Sequence, residues 1–312
     1  MIKIKKPISK MIFLSDRKIL QISGVDAKKF LQGLITNDIN LLDSKKLIYT
    51  ANLNANGKFF ADFFIFKKKD SYFLDCHVQN IDDIAKKFNF FKLRSNVEIQ
   101  IRDDFKIFFS NEVGEDDPRI NGFGYRLYDE KNQIFYSDKP LLIKYHEKRI
   151  YQKLPEGFYD LTTDKSYIAE YGFDSINAVS YQKGCYVGQE TTARNHYRGQ
   201  IRKKIFLFEI NNVNQELREI IEKNNNFNSL QIQDEGLILC NLKNQVIFDK
   251  KSFENSKIEP KELGIVLSTI YCFKTNVLKG LALIKIDDFT DSIAEKQYFS
   301  NLFFCDNNIN IL

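Results

Sequence analysis

The sequence predicts an α+β fold, and three observations carry that prediction. The first hundred residues alternate strands and helices, and residues 46–101 run strand, strand, strand, helix, strand. After Lys204 the pattern becomes a series of short strands separated by turn residues, which favours a small all-β barrel or sandwich. The composition, 43% hydrophobic and 28% charged over 312 residues, is that of a soluble globular chain with two or three modest cores.

Taken in order, Met11–Leu14 and Lys18–Ser23 read as a short hairpin turning at Asp16-Arg17. Gly24-Val25-Asp26 opens a helix that Asp26 can cap, with Phe30, Leu31 and Leu34 as its apolar face. Lys46–Leu53 and Lys58–Lys67 are strands joined at Asn54–Gly57, where Asn56-Gly57 is a strong hairpin signal. Ser71–Cys76 is a third strand. Ile81, Ile84, Ala85, Phe88 and Phe91 recur at helical spacing, and Val97–Ile101 returns to strand. Phe105–Ser110 and Gly124–Tyr128 are strands around an acidic loop, and Leu141–Leu154 is a helix. Pro155–Gln182 is an irregular connector with a short helix near Lys165–Tyr171. The strands beyond it are Ile205–Ile210, Leu237–Leu242, Gln245–Phe248, Leu263–Ser268 and Gly280–Ile284, with a brief helix at Glu216–Lys223 inside the Asn-rich excursion Asn211–Asn228. Phe299–Leu312 receives no assignment.

Several function classes are disfavoured at once. The basic start Met1–Pro7 has no apolar run behind it, so no signal peptide is expected, and no stretch approaches the roughly 20 apolar residues of a membrane span. The five cysteines, Cys76, Cys185, Cys240, Cys272 and Cys305, form no C-x-x-C pair and are odd in number. Neither a metal site nor a disulfide framework is expected, and a reducing cytoplasm fits best. A net charge of +5 suits an anionic ligand without demanding one.

The most informative stretch is Lys183-Gly184-Cys185-Tyr186-Val187-Gly188-Gln189-Glu190, followed by Arg194, His196, Arg198, Arg202, Lys203 and Lys204. A thiol works as its thiolate, which neighbouring cations favour. The two glycines allow backbone shapes that a side chain forbids. The alternative is an inert, buried cysteine in a structural turn. Lys183 and Arg194 either hold the loop through ion pairs with Glu190 or Asp174, or serve a ligand or the thiolate. On the strand Gly57–Phe66, Asp62, Phe64 and Phe66 share a face. A carboxylate beside two aromatic rings suits a flat heteroaromatic ligand with ring N–H groups; otherwise Asp62 faces solvent and the rings pack.

The Lys183–Glu190 run resembles the K-G-C-[YF]-x-G-Q-E motif of the YgfZ family of folate-binding proteins, relatives of the aminomethyltransferase (T-protein) of the glycine cleavage system. The match continues through Thr192-Ala193-Arg194 to Gly199 and Arg202-Lys203, and Thr192–Lys204 also parallels mitochondrial iron–sulfur assembly relatives. Thr36-Asn37-Asp38 and the Gly57–Phe66 strand resemble the T-protein's T-N-D and G-G-x-x-D-D elements. Asp62 falls on the second Asp, and Phe64 and Phe66 fall on pterin-contacting positions. Ala61 and Lys58 replace the first Asp and the second Gly, which puts T-protein chemistry in doubt and leaves pterin binding in place. Glu170, in Ala169-Glu170-Tyr171-Gly172, takes the place of a glutamate that pairs with the pterin's amino and ring N–H groups. A carboxylate suits that pattern, because it accepts two parallel hydrogen bonds.

The resemblance implies a three-lobed T-protein architecture. Residues 1–204 would form two intertwined α+β lobes, one ferredoxin-like, and residues 205–312 a C-terminal β-barrel. It implies tetrahydrofolate as cofactor, held by Asp62, Phe64, Phe66, Glu170 and Arg194, with Cys185, Lys183 and Asp62 carrying chemistry. The implied function is that of an accessory factor in maturation or repair of [4Fe–4S] enzymes, a tRNA-thiolating one among them. Its partners would be those client enzymes and cluster-assembly proteins. The rival from another class is a tetrahydrofolate-dependent one-carbon transferase using Asp62. Direct nucleic-acid binding through Arg194–Lys204 is the weakest reading, since no aromatic-rich RNA-binding motif accompanies it. A monomer is expected.

Overall fold

The computed structural model describes residues 11–130, 142–199, 201–224, 236–249, 259, 261–286, 302–305 and 307–312. Met1–Pro7, Leu141, 225–228, 299–301 and 306, to which expectations were attached above, lie outside the described residues. The strands are β1 (Ile12–Phe13), β2 (Arg17–Ser23), β3 (Leu47–Leu53), β4 (Phe59–Lys68), β5 (Ser71–His77), β6 (Glu98–Arg102), β7 (Phe105–Ser110), β8 (Glu115–Asp116), β9 (Tyr125–Glu130), β10 (Lys203–Asn211), β11 (Leu237–Cys240), β12 (Val246–Asp249), β13 (Glu262–Cys272), β14 (Val277–Lys285), β15 (Leu302–Phe304), β16 (Asn307–Asn308) and β17 (Asn310–Ile311). The helices are α1 (Ala27–Gln32), α2 (Ile81–Phe91), α3 (Leu142–Tyr151), α4 (Gly157–Asp160), α5 (Gln189–Tyr197) and α6 (Gln215–Asn224), with 3₁₀ turns at Ile39–Asp43 and Ile168–Tyr171.

The chain divides into two compact units, 1–142 with 162–199 and 143–161 with 200–312. Residues 143–161, expected in the first region, pack with the second unit. The first unit holds a five-stranded antiparallel sheet, β3-β4-β5-β2-β6, and a four-stranded one, β1-β7-β9-β8. The second holds an eight-stranded antiparallel sheet, β16-β15-β12-β13-β14-β10-β17, with β11 also on β13.

In the first unit, β3 and β4 pair from Leu47↔Phe66 to Leu53↔Phe59. Ile48, Ala61, Phe63 and Ile65 face a core shared with Leu31 of α1 and Ile84 and Phe88 of α2. Tyr49, Asp62, Phe64 and Phe66 therefore face the other way. The expected hairpin at Asp16-Arg17 is a turn, but its strands part: β1 pairs with β7 while β2 pairs with β5 and β6. One chain reversal thus feeds two sheets. Asp26 occupies the N-cap of α1 without capping it. Its carboxylate instead accepts a hydrogen bond from the Asn96 backbone N–H at 2.7 Å.

Candidate functional site

The cysteine loop is built on the connector between α1 and β3. Thr36 Oγ1 donates to Ala178 O at 2.7 Å, and Asn37 Nδ2 donates to Tyr49 O and to Asn177 O, each at 2.8 Å. The Ser180 N–H reaches Thr36 O, and on the far flank the Val187 N–H reaches Gly33 O. Both approaches to the loop are thus tied to Gly33–Asn37. Thr36-Asn37-Asp38 carries out this clamping, and Asp38 also caps the following 3₁₀ turn through the Asn40 N–H.

Lys183 is the central anchor. Its ammonium donates to Gln32 O (2.7 Å), Ile35 O (2.6 Å) and Asn37 O (2.9 Å). All three of its donors are used, and Gln32 is the last residue of α1, where a cation suits the negative helix end. Burial pushes its pKa down to about 8, against the pull of Asp38. Lys183 therefore does hold the loop, but through backbone carbonyls rather than through Glu190 or Asp174. Tyr186 is buried as well, its ring 4.8 Å from the Lys183 ammonium. With Lys183 and Tyr186 turned inward, Gly184 and Cys185 are left exposed. Cys185 is the exposed member of the five free cysteines, and Cys76 and Cys240 are buried. Cys185 is therefore not buried, as the alternative reading of this turn required.

The loop ends on a close backbone contact. Gly188 has φ +82° and Gly57, in the β3–β4 turn, has φ +73°. A Cβ on Gly188 would lie 2.5 Å from Asn54 O and 3.0 Å from Gly57 Cα; one on Gly57 would lie 2.6 Å from Thr191 Cβ. Gly188 is also the N-cap of α5, a helix that the apolar pattern does not predict. Gly184 differs: its φ is not left-handed, and a Cβ there would meet nothing within 4 Å. The conformational argument for glycine holds at Gly188 and fails at Gly184. Arg194 lies on α5, exposed, with no ion pair among the described residues. His196 stacks on Tyr181 at 3.6 Å between ring centroids. These two rings, with Asn37, Tyr49, Asn177 and Lys45, line a cleft of about 440 Å³.

Asp62 is only 3% exposed and accepts a hydrogen bond from the Tyr49 hydroxyl at 2.5 Å. The solvent-facing alternative for Asp62 therefore does not hold. Phe64 is fully buried, with the Arg126 guanidinium 3.5 Å above its ring and that of Arg119 at 4.9 Å. Phe66 stacks on Phe73 and on Tyr128. Both rings thus sit inside the packing between the two sheets of this unit. Glu170 is half-buried in the 3₁₀ turn Ile168–Tyr171. That segment is laid on the Asp62 face of β4, since Phe173 packs on Tyr49 and Phe59 and the Phe59 N–H donates to Ser166 O.

Sequence reasoning missed the charges behind this face. Arg17 Nε donates to Asp75 Oδ1 (2.6 Å) and Arg126 Nη1 to Asp75 Oδ2 (2.7 Å). Arg119 and Arg126 both reach Asp117, all of them buried. Burial works against the Asp117 charge, but the two guanidiniums hold its pKa below the usual carboxylate range. The available signal was a lone Asp in the apolar strand Ser71–His77 and a lone Arg in β9. No cluster of three or more His, Cys, Asp or Glu suited to a metal ion exists among the described residues.

The fold and the loop together define an α+β protein that presents one thiol on a glycine-locked, lysine-anchored loop. The solved structure of the glycine cleavage system aminomethyltransferase T from Bartonella henselae superposes with a TM-score of 0.59 at 11% identity, over 89% of this chain and 79% of that one. The likeness extends to the fold. No protein-family model matches the chain. In sequence it is 29% identical over 229 residues to a Neurospora crassa protein named iron-sulfur cluster assembly factor IBA57 homolog, mitochondrial, covering 62% of this chain and 52% of that protein. It is 31% identical over 225 residues to the Mycosarcoma maydis protein of the same name, covering 63% and 56%. It is 27% identical over 229 residues to the Mus musculus iron-sulfur cluster assembly factor IBA57, mitochondrial, covering 62% and 64%. The chain spans just over half the length of the first two.

Proposed function

We propose that the protein is a tetrahydrofolate-binding accessory factor in the maturation or repair of [4Fe–4S] enzymes, tRNA-modifying ones included. The observation that carries this reading is the outward placement of Cys185 between two buried anchors, in a chain whose relatives bear the name of iron–sulfur cluster assembly factors. An exposed thiol can engage a cluster, a sulfur donor or a partner's thiol, so its partners are client enzymes and cluster-assembly proteins. We take the chain to act as a monomer in a reducing compartment. The cytoplasm suits its five free thiols, although the relatives' names place those proteins in mitochondria.

The finer architecture belongs to the same reading. The five-stranded sheet with its helices corresponds to the ferredoxin-like lobe, and the eight-stranded sheet to the C-terminal β-barrel. A reduced folate would be held by the Asp62 face, where the chemistry of the groups fits. Glu170 offers paired acceptors for the pterin's N–H groups. Asp62 acts through the Tyr49 hydroxyl that covers it, Phe64 and Phe66 stiffen the wall behind, and exposed Arg194 suits the folate's carboxylates. The burial of Asp62 under Tyr49 argues against direct proton transfer to a folate nitrogen, which disfavours the one-carbon transferase. Glu170→Ala should weaken tetrahydrofolate binding by about 1–3 kcal/mol, measured by calorimetric titration, because the ring N–H groups lose their partner. Unchanged affinity would remove the pterin from this face.

A further inference from the structure

The first unit carries a groove unrelated to the Asp62 face. It is about 850 Å³ in volume and lined by Asp26, Lys29, Phe30, Leu93, Arg94 and Ser95. Of its apolar lining residues Leu93 is 83% exposed, and two residues close to the lining in sequence, Phe90 on α2 (76%) and Val25 just before Asp26 (84%), are bare as well. Leu93 follows the C-cap of α2, at the position where helices commonly place glycine in the left-handed conformation. It has φ +46°, so a leucine is held in solvent at a conformational cost that glycine or asparagine would avoid. Backbone strain kept at an exposed apolar residue points to use rather than packing. Lys29 and Arg94 line the groove with it, Lys92 precedes it in sequence, and none of the three forms an ion pair among the described residues. Asp26, the acidic lining residue, is already engaged by the Asn96 N–H.

We propose that this groove is the docking site for an acidic, amphipathic helix of the partner protein on which Cys185 acts. Leu93 and Phe30 take the helix's hydrophobic stripe, and Lys29 and Arg94 take its carboxylates. A second copy of this chain would bring cations against cations. A membrane surface would call for a convex apolar wedge rather than a groove. The site also lies next to the thiol loop in the fold. Lys29 and Phe30 precede by about one turn of α1 the Gln32 and Gly33 carbonyls that hold Lys183 and Val187. A partner seated there contacts the same helix that anchors the Cys185 loop. The identity of the partner rests on the function proposed above; the groove's preference for an acidic helix does not.

The test uses the full chain and a labelled helical peptide with Leu at i, i+3, i+4 and i+7 and Glu elsewhere, its Lys-for-Glu counterpart, and phosphatidylserine vesicles. Leu93→Asn suits the left-handed backbone, so its thermal midpoint should equal or exceed that of the parent. Its affinity for the acidic peptide should nevertheless fall at least about tenfold, as should that of the Lys29→Glu/Arg94→Glu double variant. The Lys peptide should not bind. Acidic-peptide binding that is absent from the parent or intact in Leu93→Asn overturns the proposal. So does a loss in Leu93→Asn that appears only on vesicles or in self-association by sedimentation. In cells, Leu93→Asn should impair a [4Fe–4S] client. Full support by Leu93→Asn alongside failure of Cys185→Ser removes the docking site and leaves the function standing. Full support by Cys185→Ser removes the function.

Discussion

Lys183 determines how the thiol is displayed. Its three carbonyl acceptors lie in the Gln32–Asn37 stretch, far away in sequence. Lys183→Met would leave those buried carbonyls without donors, at a cost of about 3 kcal/mol, read by chemical denaturation. The pH dependence follows from burial, which lowers the folded pKa to about 8 from the 10.5 of an unfolded lysine. Below pH 8 both states hold the proton, and the group contributes its least favourable, constant term. Between 8 and 10.5 the unfolded chain still binds a proton that the folded chain has released, so this contribution rises with pH. The stability difference between parent and Lys183→Met should therefore widen from pH 8 to 10.5, in denaturation series at matched ionic strength. A constant difference would contradict the lowered pKa of Lys183. The sequence marked Lys183 as important but pointed to the wrong partner, because side-chain bonds to backbone carbonyls leave no trace in residue identity.

At the scale of elements, two contacts organise the first unit. One is the backbone crossing of Gly188 and Gly57, which seats α5 on the β3–β4 turn. Gly188→Ala faces both a left-handed φ and a carbonyl oxygen 2.5 Å from the new Cβ, and should lose about 3 kcal/mol. Gly184→Ala, in the same motif, should cost little, and equal losses in thermal unfolding would refute the distinction. The other contact is the ion network on Asp75. Asp75→Asn would leave Arg17 and Arg126 poorly compensated in the interior and should cost about 3–5 kcal/mol, read by urea denaturation. The strands and α2 were legible because their apolar periods were long. The split of β1 and β2 between sheets was not, since a turn signal fixes a reversal and not the partner of each strand. The helical character of α5 was hidden because its residues, Gln189–Tyr197, are mostly polar and show no apolar stripe.

For the whole molecule, the α+β class and the run of short strands after Lys204 were readable from pattern, while their antiparallel order and the return of residues 143–161 to that unit were not. The candidate site was readable in its residues more than in its geometry. Cys185 is outward, as an exposed shaped loop requires, but Asp62 and Phe64 are covered by Tyr49 and Arg126, neither of which stands near them in sequence. Strand alternation fixes the face of a side chain but does not fix what later folds over it. In the proposed function, the thiol is the working group and the Asp62 face a binding wall. This division of roles is tested most directly by the activity of a [4Fe–4S] enzyme in cells whose sole copy of this protein carries Cys185→Ser or Asp62→Asn, with tetrahydrofolate affinity measured on each purified variant. A hydroxyl fits the place of the thiol but is not appreciably ionised near neutral pH, so cluster or thiol chemistry stops while the fold persists. The account predicts loss of client activity with folate binding retained in Cys185→Ser, and a milder defect in Asp62→Asn. Client activity at the parental level in Cys185→Ser, with Asp62→Asn the damaging change, would contradict it.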